Sequence, residues 1–524
     1  MKLAYLQKRQ LLLFCFLVAS LLPVHALTLG DKLELKYPTI IASLYPENEQ
    51  IAYWPDPQLR QEFESQLSIM ANAEVNDHIW DNYHDLKEAA ELNNWQDYEY
   101  LASDALIFYL SYLEQLDKKG ITWLFGSRIK GNLKAPSEEL LDAFFAAGSD
   151  QLRLDYLQGL LPQTERFTNL YQSYNDFQDL KYESSETATL RPLAKDKLTA
   201  KQKDTLLQRL RISGDISIKQ KQVFESEIPE EYSQQLKQVV KGFQNRHGLI
   251  EDGIIGKRTR YWLNISHQER LRLMALNLLR VQLWITTDVN KIIINIPNYE
   301  MQYWEEDEKI FESKVIVGRL KRRTPLFTSR LDSIIFNPNW KVPDSIMRKD
   351  ILPKVLIYPK YLSKNQFEIV DSWQNQEVID PEQIDWKTMS TENFPYKLRQ
   401  RSGKSSTLGA YKFNTPNRNA IYLHDTPAKY LFDKQYRAYS SGCIRVQDSD
   451  KFAKLLMKKS GFSQTKYNFH HKQDETNSVA LKQLIRVKTI YQTVWVNPQG
   501  ITQFRSDIYL YDNARNKKTS KISN

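Results

Sequence analysis

The hydrophobic pattern of the chain changes its period near residue 290, and this change limits what the chain can fold into. Before it, apolar residues recur at helical spacing, as in Leu106, Leu110 and Leu113, with Gly120 placed to end that helix. After it, short β-branched or aromatic runs lie between Pro, Gly and Asn residues. A chain of 524 residues is also too long for one core. We therefore expect a multidomain α + β protein.

The later part of the chain predicts a β-rich domain over residues 289–512, preceded by a connecting helix at 268–288. Its strand-like runs are Ile292–Ile296, Lys314–Val317, Ser333–Phe336, Ala420–Leu423 and Thr493–Val496. Residues from about 348 to 405 are polar and show few strand signals. A long insertion in a compact domain is usually functional or disordered, so we interpret this segment as an inserted cap.

The first 26 residues have the layout of a secretory signal peptide. Lys2, Lys8 and Arg9 precede an apolar run from Leu11 to Leu22, and a small-x-small cleavage site ends at Ala26. The run is shorter than the roughly 20 residues that a membrane helix needs. We expect cleavage after Ala26 and an exported mature chain with no membrane span. The net charge then falls from +9 to +6, a mild excess that favours no nucleic acid; residues 513–524 read as a polar basic tail.

Removal of that segment, which contains Cys15, leaves Cys443 as the one cysteine of the mature chain. A lone thiol in an exported protein has no disulfide partner, which favours a chemical role. His424 precedes it by 443 − 424 = 19 residues, at the end of a predicted strand, and can serve as its base. The N–H groups of Gly442 and Cys443 are candidates for an oxyanion site. Arg445 would share a strand face with Cys443 and could hold a carboxylate.

These residues stand in two motifs, His424-Asp425-Thr426-Pro427 and Ser440-Ser441-Gly442-Cys443-Ile444-Arg445. Together they resemble the L,D-transpeptidases of the YkuD type, and the whole chain resembles the large YcbB-type members of Gram-negative bacteria. Further similarities are Val317-Gly318-Arg319, Thr324-Pro325, Asn337 to Pro343 and Leu408-Gly409. Many members have a histidine where this chain has Ser441, which leaves open whether a backbone carbonyl or Ser441 orients His424. Asp425 should point to the opposite strand face, which disfavours a triad role.

A second resemblance concerns residues 195–267. Phe243-Gln244, Gly248-Leu249, Asp252-Gly253, Gly256 and Thr259 follow the spacing of the small three-helix peptidoglycan-binding module of many wall enzymes. The helical face Leu236, Val240 and Phe243 supports that arrangement. Residues 27–194 would be a helical scaffold. The module either binds glycan or only packs on its neighbours.

The resemblance implies a β-sandwich-like catalytic domain that carries out acyl transfer on peptidoglycan stem peptides. Cys443 would attack the third stem residue, expected to be diaminopimelate, release D-alanine and give 3–3 cross-links in the periplasm. His424 would be the base and proton shuttle, Gly442 an oxyanion donor, and Arg445, Ser441 and Tyr422 substrate-binding residues. No metal or organic cofactor is implied, and carbapenems would acylate Cys443.

Several alternatives stay open at this point. Water as the acceptor would make the protein an L,D-carboxypeptidase, and a lipoprotein amine as the acceptor would make it a lipoprotein-to-peptidoglycan transferase. A non-catalytic wall-binding scaffold is a third alternative, against which the intact set of His424, Gly442, Cys443 and Arg445 argues. Papain-like peptidases are disfavoured because their cysteine precedes the histidine, and sortases because their two residues are farther apart.

Overall fold

The computed structural model describes residues 33–47, 49–180, 189–191, 198–227, 232–285, 288–403 and 405–512. The chain divides into two compact units, residues 1–285 with 493–524 and residues 286–492. The predicted signal peptide and basic tail lie outside the described residues. Within the described ranges, no helix combines the length and apolar character needed to cross a membrane.

The first unit is mainly helical, as predicted. Its helices are α1 (Pro38–Leu44), α2 (Pro57–Asn72), α3 (Asp77–Glu91), α4 (Trp95–Phe125), α5 (Glu138–Phe145), α6 (Asp150–Gly159), α7 (Glu165–Gln178), α8 (Ala200–Ile212), α9 (Ile218–Ser226), α10 (Gln234–Arg246), α11 (Lys257–Leu263) and α12 (His267–Gln282). The predicted helix end at Gly120 is wrong, because α4 continues to Phe125. Gly120 instead permits close packing, since a Cβ there would lie 2.6 Å from Leu283 Cδ2.

The last described residues of the chain belong to this helical unit. They form a hairpin of β14 (Val494–Val496) and β15 (Thr502–Phe504). The fully buried Arg280 of α12 forms an ion pair with Asp512, at 2.5 Å between Nη1 and Oδ1. Our prediction extended the β-rich domain to residue 512, whereas the compact unit that contains its sheet ends at Gln492. Long-range side-chain contacts to α12 account for the difference.

Helices α8 to α11 contain the motif of the predicted wall-binding module. The apolar face of α10 is fully buried, as its spacing predicts. The Gln244 amide holds the loop before α11: its Nε2 donates to Asp252 Oδ1 and to the Ile254 carbonyl, both at 3.0 Å, and its Oε1 accepts from the Gly253 N–H at 2.8 Å. Gly248 follows α10 with φ of +60°, a conformation suited to glycine after a helix. The motif thus fixes the local fold.

The second unit is built on a nine-stranded sheet with the order β11-β3-β12-β10-β9-β4-β13-β1-β2. The strands are β1 (Asn290–Asn295), β2 (Glu300–Glu305), β3 (Glu308–Gly318), β4 (Thr328–Phe336), β9 (Tyr411–Asn414), β10 (Leu423–His424), β11 (Ala438–Ser440), β12 (Ile444–Val446) and β13 (Asn477–Ile490). Strands β2 and β3 also pair. The β-rich prediction is confirmed, but the strands form one sheet that closes on itself rather than two separate sheets.

The predicted insertion is a folded subdomain. Its strands β5 (Trp340–Lys341), β6 (Phe367–Val370), β7 (Val378–Ile379) and β8 (Lys397–Gln400) form a four-stranded sheet in the order β5-β8-β6-β7. The short helices α13 (Asp344–Ile346), α14 (Leu352–Ile357) and α15 (Tyr361–Lys364) complete it, with a π-helical turn over Met347–Ile351. Its buried apolar core extends from Trp340 to Leu408. We call residues 340–408 the cap.

After the main strands, helices α16 (Ser449–Lys459) and α17 (Gln464–Lys472) lead into β13. The predicted strand at Ala420–Leu423 is shorter than expected. Ala420 has φ of +52°, in the left-handed region, so regular strand geometry begins only at Leu423. This turn directs the chain into β10, which carries His424.

Candidate active site

Two neighbouring parallel strands carry the predicted site residues. Strand β10 pairs with β12 so that Leu423 is opposite Ile444 and His424 is opposite Arg445. Cys443 immediately precedes β12. Because side chains alternate along a strand, Cys443 and Arg445 share a sheet face with His424. The sheet register therefore brings together the thiol, the imidazole and the guanidinium that the sequence motifs singled out.

The loop before Cys443 is held by two hydroxyl groups. Ser440 Oγ donates to the Cys443 carbonyl at 2.5 Å and accepts from the Gly442 N–H at 3.1 Å. Thr324 Oγ1 donates to the Gly442 carbonyl at 2.7 Å and accepts from the Gly318 N–H at 2.8 Å. Gly442 has φ of +122°, which a side chain rarely adopts. The nucleophile loop thus has a defined conformation that requires glycine at this position.

The two predicted oxyanion donors, the N–H groups of Gly442 and Cys443, differ in their hydrogen bonding. The Gly442 N–H already donates to Ser440, so in this structure it is not available to a developing oxyanion. The Cys443 N–H makes no hydrogen bond to the described residues. Sequence reasoning gave both N–H groups as candidates, and the geometry favours that of Cys443.

The imidazole of His424 is buried, with 3% exposure, and held by a backbone carbonyl. Its Nδ1 lies 2.6 Å from the carbonyl oxygen of Asp425. Because a carbonyl only accepts hydrogen bonds, Nδ1 carries the proton and Nε2 is left as the basic nitrogen. Burial, and then the positive charge of Arg445, lower the pKa of His424 to about 3. The imidazole is therefore neutral at physiological pH.

Ser441 lies two residues before Cys443, and Asp425 directly follows His424. The side chains of both have partners outside the reacting pair. Ser441 Oγ accepts from Arg322 Nη1 at 3.0 Å, so it does not orient His424. The Asp425 carboxylate accepts from the Ala410 N–H at 2.9 Å and from Ser449 Oγ at 2.7 Å. The side chain of Asp425 thus connects β10 to the start of β9 and to α16. These contacts agree with its predicted orientation away from His424.

The thiol of Cys443 is half-buried beside Tyr422. Its Sγ lies 4.0 Å from the Ala420 carbonyl. Burial raises the pKa of Cys443, while contacts with the backbone and hydroxyl of Tyr422 and the charges of Lys412 and Arg445 act in the opposite direction. The resting pair is therefore a protonated thiol and a neutral imidazole.

Tyr422 connects the site to the cap. Its ring meets that of His424 edge-on, with 5.7 Å between centroids. Burial raises the pKa of Tyr422 well above its usual value, and its hydroxyl contacts the side chains of Trp340 and Cys443. Because Trp340 belongs to the cap core, the position of the cap and the shape of the site are linked through one aromatic residue.

Comparison with known proteins identifies the domains that contain these features. Residues 290–463 match the family described as "L,D-transpeptidase catalytic domain" (YkuD), and residues 208–263 match the family described as "Putative peptidoglycan binding domain". The chain contains a YkuD-type L,D-transpeptidase catalytic domain and a peptidoglycan-binding domain. The resemblance of both segments, stated from their motifs, is confirmed.

One curated relative is similar to this chain over most of its length. The "Putative L,D-transpeptidase" of Haemophilus influenzae is 28% identical over 484 residues, which cover 92% of this chain and 80% of that protein. A crystal structure of L,D-transpeptidase (Yku) from Stackebrandtia nassauensis is 13% identical and covers 58% of this chain and 97% of that one. Its TM-score is 0.20, which is too low to support a fold comparison.

Two features of the L,D-transpeptidase domain were not predicted. Arg322 forms an ion pair with Asp350 of the cap and also donates to Ser441 in the nucleophile loop, so one side chain ties the cap to the loop. Lys412 lies opposite His424 across the β9–β10 pair. The sequence motifs reveal neither feature, because the Arg322 contacts join residues far apart in the sequence and the position of Lys412 depends on strand register.

The described part of the chain contains no group of three or more His, Cys, Asp or Glu side chains placed to hold a metal ion. The groups that the site offers for chemistry are the Cys443 thiol, the His424 imidazole and the neighbouring cations.

Proposed function

We propose that the protein uses Cys443 as the nucleophile of a periplasmic L,D-transpeptidase that forms 3–3 cross-links between peptidoglycan stems. The observation that carries this proposal is the register of β10 and β12, which puts Cys443 and His424 on one face of adjacent parallel strands. The same loop offers the Cys443 N–H, which makes no hydrogen bond to the described residues, as a backbone donor.

The first half-reaction transfers an acyl group to the thiol. His424 Nε2 takes the thiol proton as Sγ attacks the carbonyl carbon of the third stem residue, expected to be diaminopimelate. The Cys443 N–H donates to the oxyanion. The peptide C–N bond then breaks, His424 returns the proton to the amine of D-alanine, and a thioester remains on Cys443.

The second half-reaction resolves the thioester. The side-chain amine of a second stem attacks the thioester carbonyl while His424 takes its proton. The C–S bond breaks and the thiolate recovers the proton, which leaves a 3–3 amide cross-link. Since the imidazole is neutral at rest, it can act as a base without first losing a proton.

The remaining assignments follow from this activity. The predicted signal peptide at residues 1–26 would export the chain to the periplasm, where its substrate lies. Residues 208–263 would bind peptidoglycan. Arg445 and Tyr422 would contact the stem peptide, Ser441 would act through Arg322, and carbapenems would acylate Cys443.

The test is to incubate purified mature protein with disaccharide-tetrapeptide and measure both D-alanine release and the mass of the products. We expect D-alanine and a dimer, and neither with Cys443→Ala. A Cys443→Ala variant with full activity would refute the mechanism. Release of D-alanine without dimer would instead support the carboxypeptidase alternative, and dimer formation only with a lipoprotein amine would support the transferase.

A further inference from the structure

Lys412 lies at one end of a row of three polar side chains that crosses three strands. It is paired directly with His424 of β10, and His424 is paired directly with Arg445 of β12. Directly paired residues place their side chains on the same sheet face. Lys412 and Arg445 therefore flank His424 from opposite sides, on the face that also carries Cys443.

The Lys412 ammonium has no anionic partner in the described structure. Its Nζ lies 4.3 Å from the centroid of the Tyr422 ring, and the side chain is only partly exposed. No ion pair or hydrogen bond to described residues involves it. The nearby Asp332 carboxylate accepts from Asn414 Nδ2 at 3.0 Å and from Ser333 Oγ at 2.5 Å. A partly desolvated ammonium without a counter-charge is costly, which points to an anionic ligand.

Arg445 gives an independent indication of the same kind. Its Nε is buried and has no hydrogen-bond partner in the described part of the chain. No carboxylate of the described residues lies within ion-pair distance of its guanidinium. Buried polar groups are normally paired, so this unused donor is available to a bound ligand. Two unpaired cations thus stand on either side of the base.

We propose that Lys412 is a substrate-binding residue that, together with Arg445, holds a carboxylate of the acyl-donor peptide beside the scissile bond. The inference rests on the proposed function and specifies its substrate chemistry. Two carboxylates of the donor fit: the C-terminal carboxylate of the departing D-alanine and the side-chain carboxylate of the third residue.

A carboxylate bound between Lys412 and Arg445 changes the proton affinity of His424. Arg445 and Lys412 both lower the proton affinity of His424 in the free protein. A bound carboxylate offsets that positive charge, so the imidazole becomes a stronger base when the donor is in place. Substrate binding and activation of the thiol are coupled in this way.

The experiment combines protein variants with modified donors. Wild type, Lys412→Met and Lys412→Arg are each assayed with three donors: the parent tetrapeptide, its C-terminal carboxamide, and a peptide amidated at the side-chain carboxylate of the third residue. The product measured is D-alanine, or D-alanine amide for the carboxamide donor. We expect Lys412→Met to lower kcat/KM for the parent roughly 10- to 100-fold, mainly through KM, and Lys412→Arg to retain most of it. Lys309→Met, an exposed lysine of β3, is the matched control and should be unchanged.

The pattern across substrates decides the proposal. For one of the two amidated peptides, wild type should fall to the level of Lys412→Met, and that peptide identifies the carboxylate. An unchanged Lys412→Met, or an equal loss on all three peptides, would overturn the role of Lys412. A wild-type protein inert on all three would overturn the proposed function itself. Thermal unfolding of each variant separates these results from misfolding.

Discussion

Thr324 is the residue whose replacement tests the structure of the nucleophile loop most directly. Its side chain is fully buried, and its hydroxyl bridges the Gly318 N–H and the Gly442 carbonyl. Thr324→Val keeps the shape and removes the hydroxyl, which leaves two buried backbone groups without that partner. Each such group costs about 1–3 kcal/mol, so we expect a loss of about 2–6 kcal/mol in the free energy of unfolding.

Calorimetry on the mature full-length chain measures this loss. A unit of this size changes its Tm by about 2–4 °C per kcal/mol, so Thr324→Val should lower the affected transition by roughly 4–24 °C. D-Alanine release should fall as well, because the Gly442 carbonyl no longer fixes the loop that presents Cys443. Thr324→Ser keeps the hydroxyl and loses one methyl group, for about 1 kcal/mol. If the valine and serine variants unfold at the same temperature, the two hydrogen bonds do not hold the loop as described.

Three further predictions follow from the site. Gly409→Ala should destabilise the protein by about 2 kcal/mol or more in thermal unfolding, because the residue has φ of +62° and a Cβ would lie 2.3 Å from Asp425 Oδ2; an unchanged Tm would contradict this packing. As the pH falls from about 6.5 towards 3, wild type should lose stability relative to His424→Gln, with a slope of at most about 1.4 kcal/mol per pH unit, because the folded state resists protonation of His424. If the urea midpoints of wild type and His424→Gln differ by the same amount at pH 7 and at pH 5, the result argues against a buried neutral imidazole. Meropenem should add one adduct to the intact mass of wild type, and an adduct that persists in Cys443→Ala would contradict acylation at that thiol.

The reacting residues could be found in the sequence because each lies in a short local motif. A single thiol preceded by glycine, with a histidine at a strand end, is visible without knowledge of the sheet. The strand runs in β1, β3 and β4 were also visible, because β-branched residues dominate them. The register of these strands could not be read from the sequence. The pairing of β2 with β3, which closes the sheet, was not predicted.

Lys412 illustrates what local patterns conceal. It lies between Tyr411 and Phe413, which are buried, so alternation suggests a lysine that faces solvent. Its actual neighbours are set by β10, whose register depends on the turn at Ala420. The face that looks solvent-exposed in β9 is the face of the active site.

The core of the cap and the contacts of the terminal hairpin could not be read from the sequence, for related reasons. The cap was interpreted from its polar composition, yet it has a core because widely separated residues such as Met347, Ile369 and Leu398 meet in space. The hairpin after residue 492 was assigned to the β-rich domain by its strand composition. Contacts of Arg280 with Asp512 place it in the helical unit, and such a contact has no local sequence signal.

Detection of the acyl-enzyme tests the central claim most directly. Wild-type protein quenched in acid shortly after mixing with tetrapeptide donor should gain the mass of the donor less D-alanine. Peptide mapping should locate this adduct at Cys443, and hydroxylamine should remove it as expected for a thioester. His424→Gln should accumulate it far more slowly, and Cys443→Ala should show none. An adduct on another residue, or turnover in wild type with no Cys443 adduct under any quench time, would contradict the account.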